Sequence, residues 1–281
     1  MHPNNRNKDP YQFKYLRKAN PKLSPYILDT DRGIQTVDFT NSDAVLELNR
    51  AIMLSDYSLN AYELPSGYLC PAVPGRADYL LYLKDFINKE QAHGLDIGTG
   101  ANFIYPLLAA SLFKWKMKGV DTDKNAIKNA SLLIENNTHL KGFLTAAHQS
   151  TPAHIFEGIL LPGEKYDFTM CNPPFYSSEK EAFKATKDKS KGLKLKEVTR
   201  NFKGQSNELW CNGGEALFVK RMIKESVKFK SQVGWFTTLI SKNENLPKLK
   251  KQLEKLNSVY QTVDMSQGNK KSRFLAWKFK E

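Results

Sequence analysis

Apolar positions along the chain switch between two spacings, and the switching predicts an α/β fold. Val45, Leu48 and Ile52 recur at helical spacing between Asp43 and Leu54, with Ser42 or Asp43 placed to cap the first turn. Leu64 to Gly75 then holds Pro65, Gly67, Pro71, Pro74 and Gly75 and reads as a loop. A helix follows, its apolar face made of Tyr79, Leu80, Leu83, Phe86 and Ile87. Gly94-Leu95-Asp96-Ile97 is a short strand feeding a glycine turn and a helix from Phe103 to Phe113. Trp115 to Val120 predicts a second strand, Asp123 caps a helix with Ile127, Ala130 and Ile134 on one face, and Gly142 to Ala147 is a third strand. Tyr166 to Cys171 is a buried strand stopped by Asn172-Pro173-Pro174-Phe175. Later, Gly213-Gly214-Glu215 opens a helix carrying Ala216, Val219, Ile223 and Val227, and Val233 to Ile240 is a strand. Lys242 to Lys255 is a basic helix, and Val259 to Met265 with Arg273 to Phe279 form a closing antiparallel pair. Strand and helix in alternation build a mostly parallel sheet with helices on its faces.

Charge changes the picture. The formal net charge is +13, which points to a polyanionic partner and says nothing about fold. Arg6, Lys8, Lys14, Arg17, Lys18 and Lys22 face Asp9 alone in residues 1–22, interleaved with Tyr11, Phe13 and Tyr15. Cations attract phosphates and rings stack on bases, as in a groove for single-stranded nucleic acid; the alternative is a solvated helix whose rings dock on the next domain. Between residues 176 and 212 the alternation of strand and helix breaks, and the lysines from Lys180 to Lys203 outnumber the acids. That composition predicts a mobile segment. The chain divides into a helical, basic module at 1–70 and a larger domain at 71–281.

Several classes fall away. The longest apolar stretch, Phe103 to Phe113, is too short to span a bilayer, and the first residues lack the apolar core of a signal peptide, so a cytoplasmic protein is expected. Cys70, Cys171 and Cys211 are far apart and suggest neither disulfides nor zinc. The histidines show no ligand spacing, and no metal is expected.

The chemistry concentrates in two stretches. Consecutive prolines at 173 and 174 remove two backbone donors and fix φ, so the carbonyls there stay available to a ligand. The Asn172 side-chain oxygen beside the Pro173 carbonyl offers two acceptors to a planar NH2 group, and Phe175 offers a flat face for a ring. An aromatic amine or amide is a poor nucleophile because its lone pair is delocalised; gripping both hydrogens turns that lone pair toward an electrophile. Taken alone, the same residues describe a stiff loop and a core phenylalanine. The second stretch is Gly94 to Gly100, where Gly98 and Gly100 let backbone approach a ligand and the next helix aims its amino terminus at it. Asp121, about 20 residues further on, stands where an acid can hold both ribose hydroxyls. The third glycine of a dinucleotide turn is missing, and Asp96 would repel a pyrophosphate while suiting the cationic amino acid portion of S-adenosylmethionine. His148 to Thr151 would border the cofactor base; a methyl leaving a sulfonium needs no strong base, which argues against His148 as one.

Five motifs together carry a resemblance that covers essentially the whole chain. They are His2-Pro3-Asn4-Asn5-Arg6, the Gly94 to Ala101 turn followed by Ile104-Tyr105-Pro106-Leu107-Leu108, Cys171 to Phe175, Glu208 to Glu215, and the ending from Gln267-Gly268 to Trp277. The chain resembles the bacterial 23S rRNA adenine-N6 methyltransferases and, more distantly, the eukaryotic enzyme that methylates U6 spliceosomal RNA. The resemblance implies a Rossmann-like, S-adenosylmethionine-dependent methyltransferase sheet preceded by an RNA-binding module, acting as a monomer on one adenine of 23S rRNA or a pre-ribosomal particle. By the same resemblance Arg76 holds the cofactor carboxylate, Gly98 and Gly100 its backbone contacts, Asp121 the ribose and Thr151 the base. Asn172 and the Pro173 carbonyl grip the adenine amine, followed by Pro174, with Phe175 stacking. Arg6, Lys8, Lys14, Arg17, Lys270, Lys271 and Arg273 are the expected RNA contacts; the eukaryotic relative has arginine where this chain has Asn269. Two other classes use similar parts: a protein-glutamine methyltransferase, whose substrate also presents a planar NH2 but needs no phosphate neutralisation, and a non-catalytic RNA-binding protein that keeps the fold.

Overall fold

Seven strands form one mixed sheet in the computed structural model, which describes residues 1–174, 176–178, 180–181, 210–267 and 270–280. They are β3 (His93–Ile97), β4 (Lys116–Asp121), β5 (Leu144–His148), β6 (Tyr166–Cys171), β7 (Val233–Leu239), β8 (Ser258–Gln267) and β9 (Lys270–Phe279), in the order β5-β4-β3-β6-β7-β9-β8. The first five are parallel; β9 runs antiparallel to β7, and β8 antiparallel to β9. This is the Rossmann-like methyltransferase sheet. The order reverses between β3 and β6, which is where open α/β sheets place ligands.

Period-two alternation divides the core. Phe274 and Ala276 pack in one apolar cluster while Leu275 and Trp277, between and beside them, pack in the other. The first cluster also holds α3 (Val73–Ile87), α4 (Ile104–Phe113) and α5 (Lys124–Asn136), together with α1 (Phe13–Ala19) and α2 (Ser42–Ser55) from the amino-terminal region. The second takes α6 (Gly214–Ser226) and α7 (Leu246–Lys255). Outside the sheet, β1 (Ile27–Asp29) and β2 (Gln35–Val37) form a small hairpin that the apolar pattern does not signal.

Several boundaries differ from the sequence pattern, each for a local reason. Asn41, one residue earlier than expected, caps α2 by accepting from the N–H groups of Asp43 (2.9 Å) and Ala44 (3.2 Å). Helix α3 already begins at Val73, because Pro74 sits in its first turn, where no amide hydrogen is needed. Residues Thr138–Phe143 form a 3-10 turn, so β5 starts at Leu144. Val227 ends α6 and is 37% exposed, and α7 starts at Leu246 with a proline in its first turn. Residues 182–209, most of the expected mobile segment, lie outside the described residues.

Close packing fixes β3 and β4 behind the site. A methyl group at Gly119 would lie 2.3 Å from Cε2 of Phe103, itself fully buried in a left-handed conformation (φ 47°) that leaves it little room to move. Gly119→Ala is expected to destabilise the fold by about 1–3 kcal/mol, read as a lower denaturant midpoint at unchanged m-value.

Candidate active site

Register brings the site together. Ile97 pairs with Val120 on one side and Cys171 on the other, so the residues that follow, Gly98, Asp121 and Asn172, leave three adjacent strands side by side. They open on one cavity of about 350 Å³, lined also by Arg76, Gly100, Tyr105, Gln149, Pro174 and Trp210.

The glycine turn is built for close approach. Gly98 and Gly100 both have positive φ (72° and 65°), a conformation that side chains resist. Gly98 and Thr99 donate to the Val120 carbonyl at 2.8 and 2.9 Å, tying the turn to β4. Asp121 completes the tie: one carboxylate oxygen accepts from the Gly100 N–H at 2.9 Å and the other from the Asp123 N–H at 2.9 Å. Burial pushes its carboxyl above the ordinary range, with these hydrogen bonds opposing. Its remaining lone pairs are suited to a pair of hydroxyls.

Arg76, in the first turn of α3, reaches across to the strand end at Asn172. Its Nη1 donates to the Tyr105 hydroxyl at 3.2 Å, and its guanidinium lies 5.7 Å from that ring's centroid. With its amide oxygen turned toward Arg76, Asn172 accepts from both Nη1 and Nη2 at 3.2 Å. A cation and a neutral amide thus meet at the mouth of the β3–β6 crevice.

Asp96 lies beneath this surface and does not line the cavity. It is fully buried, and among the described residues neither its carboxylate oxygens nor the neighbouring Thr99 hydroxyl makes a hydrogen bond of good geometry. Burial pushes its carboxyl up to about 7. A buried carboxylate so placed is a deficit that a nearby cation offsets, which fits the ammonium group of an amino acid cofactor. Because the folded state holds this proton up to about pH 7 and the unfolded chain releases it near 4, stability falls as pH rises through that window. Asp96→Asn abolishes that fall, so the variant's Tm should gain on the wild type's between pH 5 and pH 8.

Other expected residues are placed differently. Thr151 is exposed and off the cavity; its N–H donates to Gln149 Oε1 at 3.0 Å, and it is Gln149 and Pro152 that reach the lining. Pro173 is buried beside the cavity rather than on it, and Phe175 lies outside the described residues. Among the rings of the first segment, Phe13 is core and Tyr15 is 61% exposed. Lys14 and Arg17 are exposed one turn apart on α1. Arg6 bonds the Asp56 carbonyl and sits over the Tyr57 ring, while Lys8 donates to the Pro3 carbonyl at 2.8 Å. Arg273 pairs with Asp264 at 3.5 Å and its side chain is 12% exposed. The backbone of Lys270 and Lys271 belongs to β9, but their side chains lie outside the described residues, as do Gly268 and Asn269.

No local pattern points to Tyr68, whose hydroxyl donates to Asp123 at 2.6 Å, or to Phe218 and Arg221, which wall the cavity from α6. Tyr105 and Trp210 belong to the motifs that carry the resemblance, which assign them no role. His154, Glu157 and Glu225 present ligand atoms within 4.8 Å of one another. Both acids are engaged: Glu225 accepts from the N–H groups of Ile155, Phe156 and Glu157, and Glu157 pairs with Lys228 at 2.8 Å. No helix among the described residues is long and apolar enough to cross a membrane.

Known proteins resemble this chain from end to end. A family model described as RNA methyltransferase matches residues 1–281. The "Ribosomal RNA large subunit methyltransferase F" of Christiangramia forsetii is 50% identical over 99% of this chain and 100% of its own length. Among solved structures, the hMettl16 catalytic domain in complex with a MAT2A 3'UTR hairpin is 28% identical, with TM-score 0.85, and covers 100% of this chain and 98% of that one. The N-terminal domain of human METTL16 in complex with SAH is 27% identical, with TM-score 0.79, covering 100% and 99%. A match across the whole chain, joined to a sheet that sets Gly98, Asp121 and Asn172 on one cleft, makes this chain a member of the RNA methyltransferase family, in the group of the ribosomal RNA large subunit methyltransferases F.

Proposed function

We propose that the protein transfers a methyl group from S-adenosylmethionine to the exocyclic N6 amine of one adenine in 23S rRNA. The observation that carries this reading is the common cavity of Gly98, Asp121 and Asn172, which unites a nucleoside-binding turn with an amine-binding strand end. S-adenosylmethionine supplies an electrophilic methyl on a sulfonium. The chain supplies the rest. Asp121 would hold the ribose hydroxyls and Arg76 the carboxylate, and an ammonium group bound near the turn would favour the ionised form of the buried Asp96. At the acceptor side, Asn172 Oδ1, freed from Arg76 when the guanidinium turns to the cofactor carboxylate, and the carbonyl of Pro173 just behind the cavity lining would take the two amine hydrogens, turning the nitrogen lone pair out of the ring plane. The target base leaves its stack to enter the cleft, as base-modifying enzymes generally require. Orientation and electrostatics account for the acceleration, and the surplus proton leaves to water.

The basic, partly aromatic stretch of residues 1–70 serves as the RNA-binding module, residues 71–281 as the catalytic domain, and the cytoplasm as the site of action. Exposed Lys14, Arg17 and Tyr15 on α1 support this division, since phosphate and base contacts need exposed cations and rings. Tritiated cofactor offered with extracted 23S rRNA, pre-ribosomal particles and a protein pool tests the reading. Label in N6-methyladenosine of 23S rRNA is expected. Label confined to protein glutamine would replace it with the peptide-directed alternative, and cofactor binding without any transfer would point to a non-catalytic role.

A further inference from the structure

We infer that Trp210 is a specificity residue of the acceptor site: its indole N–H donates to the ring nitrogen, N1 or N7, that flanks the target amine. This rests on the reading that an adenine enters the cleft. Trp210 lines the cavity together with Asn172, and its Nε1 is buried without a hydrogen-bond partner among the described residues. Buried indole donors usually find one, and here Trp115 Nε1 donates to the Glu90 carbonyl at 3.1 Å and Trp277 Nε1 to Ser226 Oγ at 3.0 Å. An orphaned donor on the wall of a binding cleft is a site waiting for an acceptor.

The backbone assigns that donor to the acceptor rather than to the cofactor. Trp210 bridges in parallel to Tyr176, two residues beyond Pro174, and the Cys211 N–H donates to the Tyr176 carbonyl at 3.0 Å. The turn is then closed by Gly214 N–H to the Cys211 carbonyl at 2.8 Å. Gly214, with φ of 60°, presses on this segment so closely that a methyl group there would lie 3.3 Å from Ser177 N. Trp210 therefore moves with the Asn172-Pro173-Pro174 strand end, not with the β3–β4 turns that would hold the nucleoside.

The chemistry selects one base edge. With Asn172 and Pro173 accepting both amine hydrogens, the neighbouring position on the ring faces the indole donor. Adenine presents an acceptor there on either side of the amine. Guanine presents O6 flanked by a protonated N1, so it fails at the amine grip and, on its Watson–Crick side, sets donor against donor. One indole thus supports discrimination between the purines.

An atom-replacement cycle tests this. The adenine modified by the wild-type enzyme is first located by nuclease digestion and mass spectrometry; no methylation of 23S rRNA at that step would overturn the functional reading and not this residue's role within it. Synthetic RNA carrying adenine, 1-deazaadenine or 7-deazaadenine at that position is then compared in wild type and Trp210→Phe. On adenine, Trp210→Phe should lower kcat/KM about 10- to 100-fold, as for a donor lost to a buried acceptor. One deaza base should cost the wild type a similar factor and cost the variant less than about twofold. A purely structural role of the indole would instead make both deaza bases cost both enzymes equally, and that result overturns the assignment. Should Trp210→Phe not fold, the wild type alone decides, since equal rates on adenine and both deaza bases overturn it too.

Discussion

Asn172→Ala is expected to lower the rate of methyl transfer to 23S rRNA about 100- to 1000-fold, the cost of removing one preorganised polar contact at a reacting centre. The side chain meets Arg76 at 3.2 Å and opens on the cavity beside Asp121, so its loss strips the acceptor end of a neutral oxygen and also releases the guanidinium assigned to the cofactor carboxylate. Single-turnover kinetics with saturating cofactor should place the loss in the chemical step, while thermal unfolding stays near that of the wild type. Near-normal turnover would remove the amine grip from the mechanism. Asn172→Asp keeps the acceptor oxygen and adds a charge next to Arg76, and should retain more activity than alanine.

The second large effect concerns the nucleoside. Asp121→Ala should weaken cofactor binding by about 2–4 kcal/mol, or roughly 30- to 1000-fold in Kd, because hydrogen bonds to a carboxylate are worth more than neutral ones. The same carboxylate accepts from Gly100 and Asp123, so the substitution also loosens the β3 and β4 turns. Calorimetric titration with S-adenosylhomocysteine reads the first effect directly. Asp121→Asn separates the two, since an amide can still accept one of those backbone bonds. An unchanged affinity in both variants would move the ribose site elsewhere.

Much of the fold was legible because it follows from periodicity. The strand Tyr166–Cys171 coincides with the apolar run that predicts it, and Asp123 caps α5 as its side chain predicts. Adjacency was less so. That Ile97, Val120 and Cys171 share one register depends on strand order, which no local pattern encodes. Single side chains were harder still. Thr151 misses the cavity because the turn bends back on Gln149, and Phe13 joins the core where a stacking platform was one of two readings. Trp210 stood within a recognisable motif, yet an orphaned indole proton is visible only once the neighbours that fail to satisfy it are in place.

The first residues of the chain are sewn to the helix that presents Arg76. The His2 amide donates to Asp78 at 3.0 Å, the Asn5 side chain to Asp78 at 2.5 Å and to the Pro74 carbonyl at 2.9 Å, and the His2 ring meets Asp85 at 2.9 Å. Asp78 and Pro74 flank Arg76 at two residues on either side. If RNA binds the leading segment, as proposed above, the load would fall on the very turn from which the guanidinium extends. Thermodynamic linkage makes such communication mutual: whatever factor the transcript adds to nucleoside affinity, the nucleoside returns to the transcript.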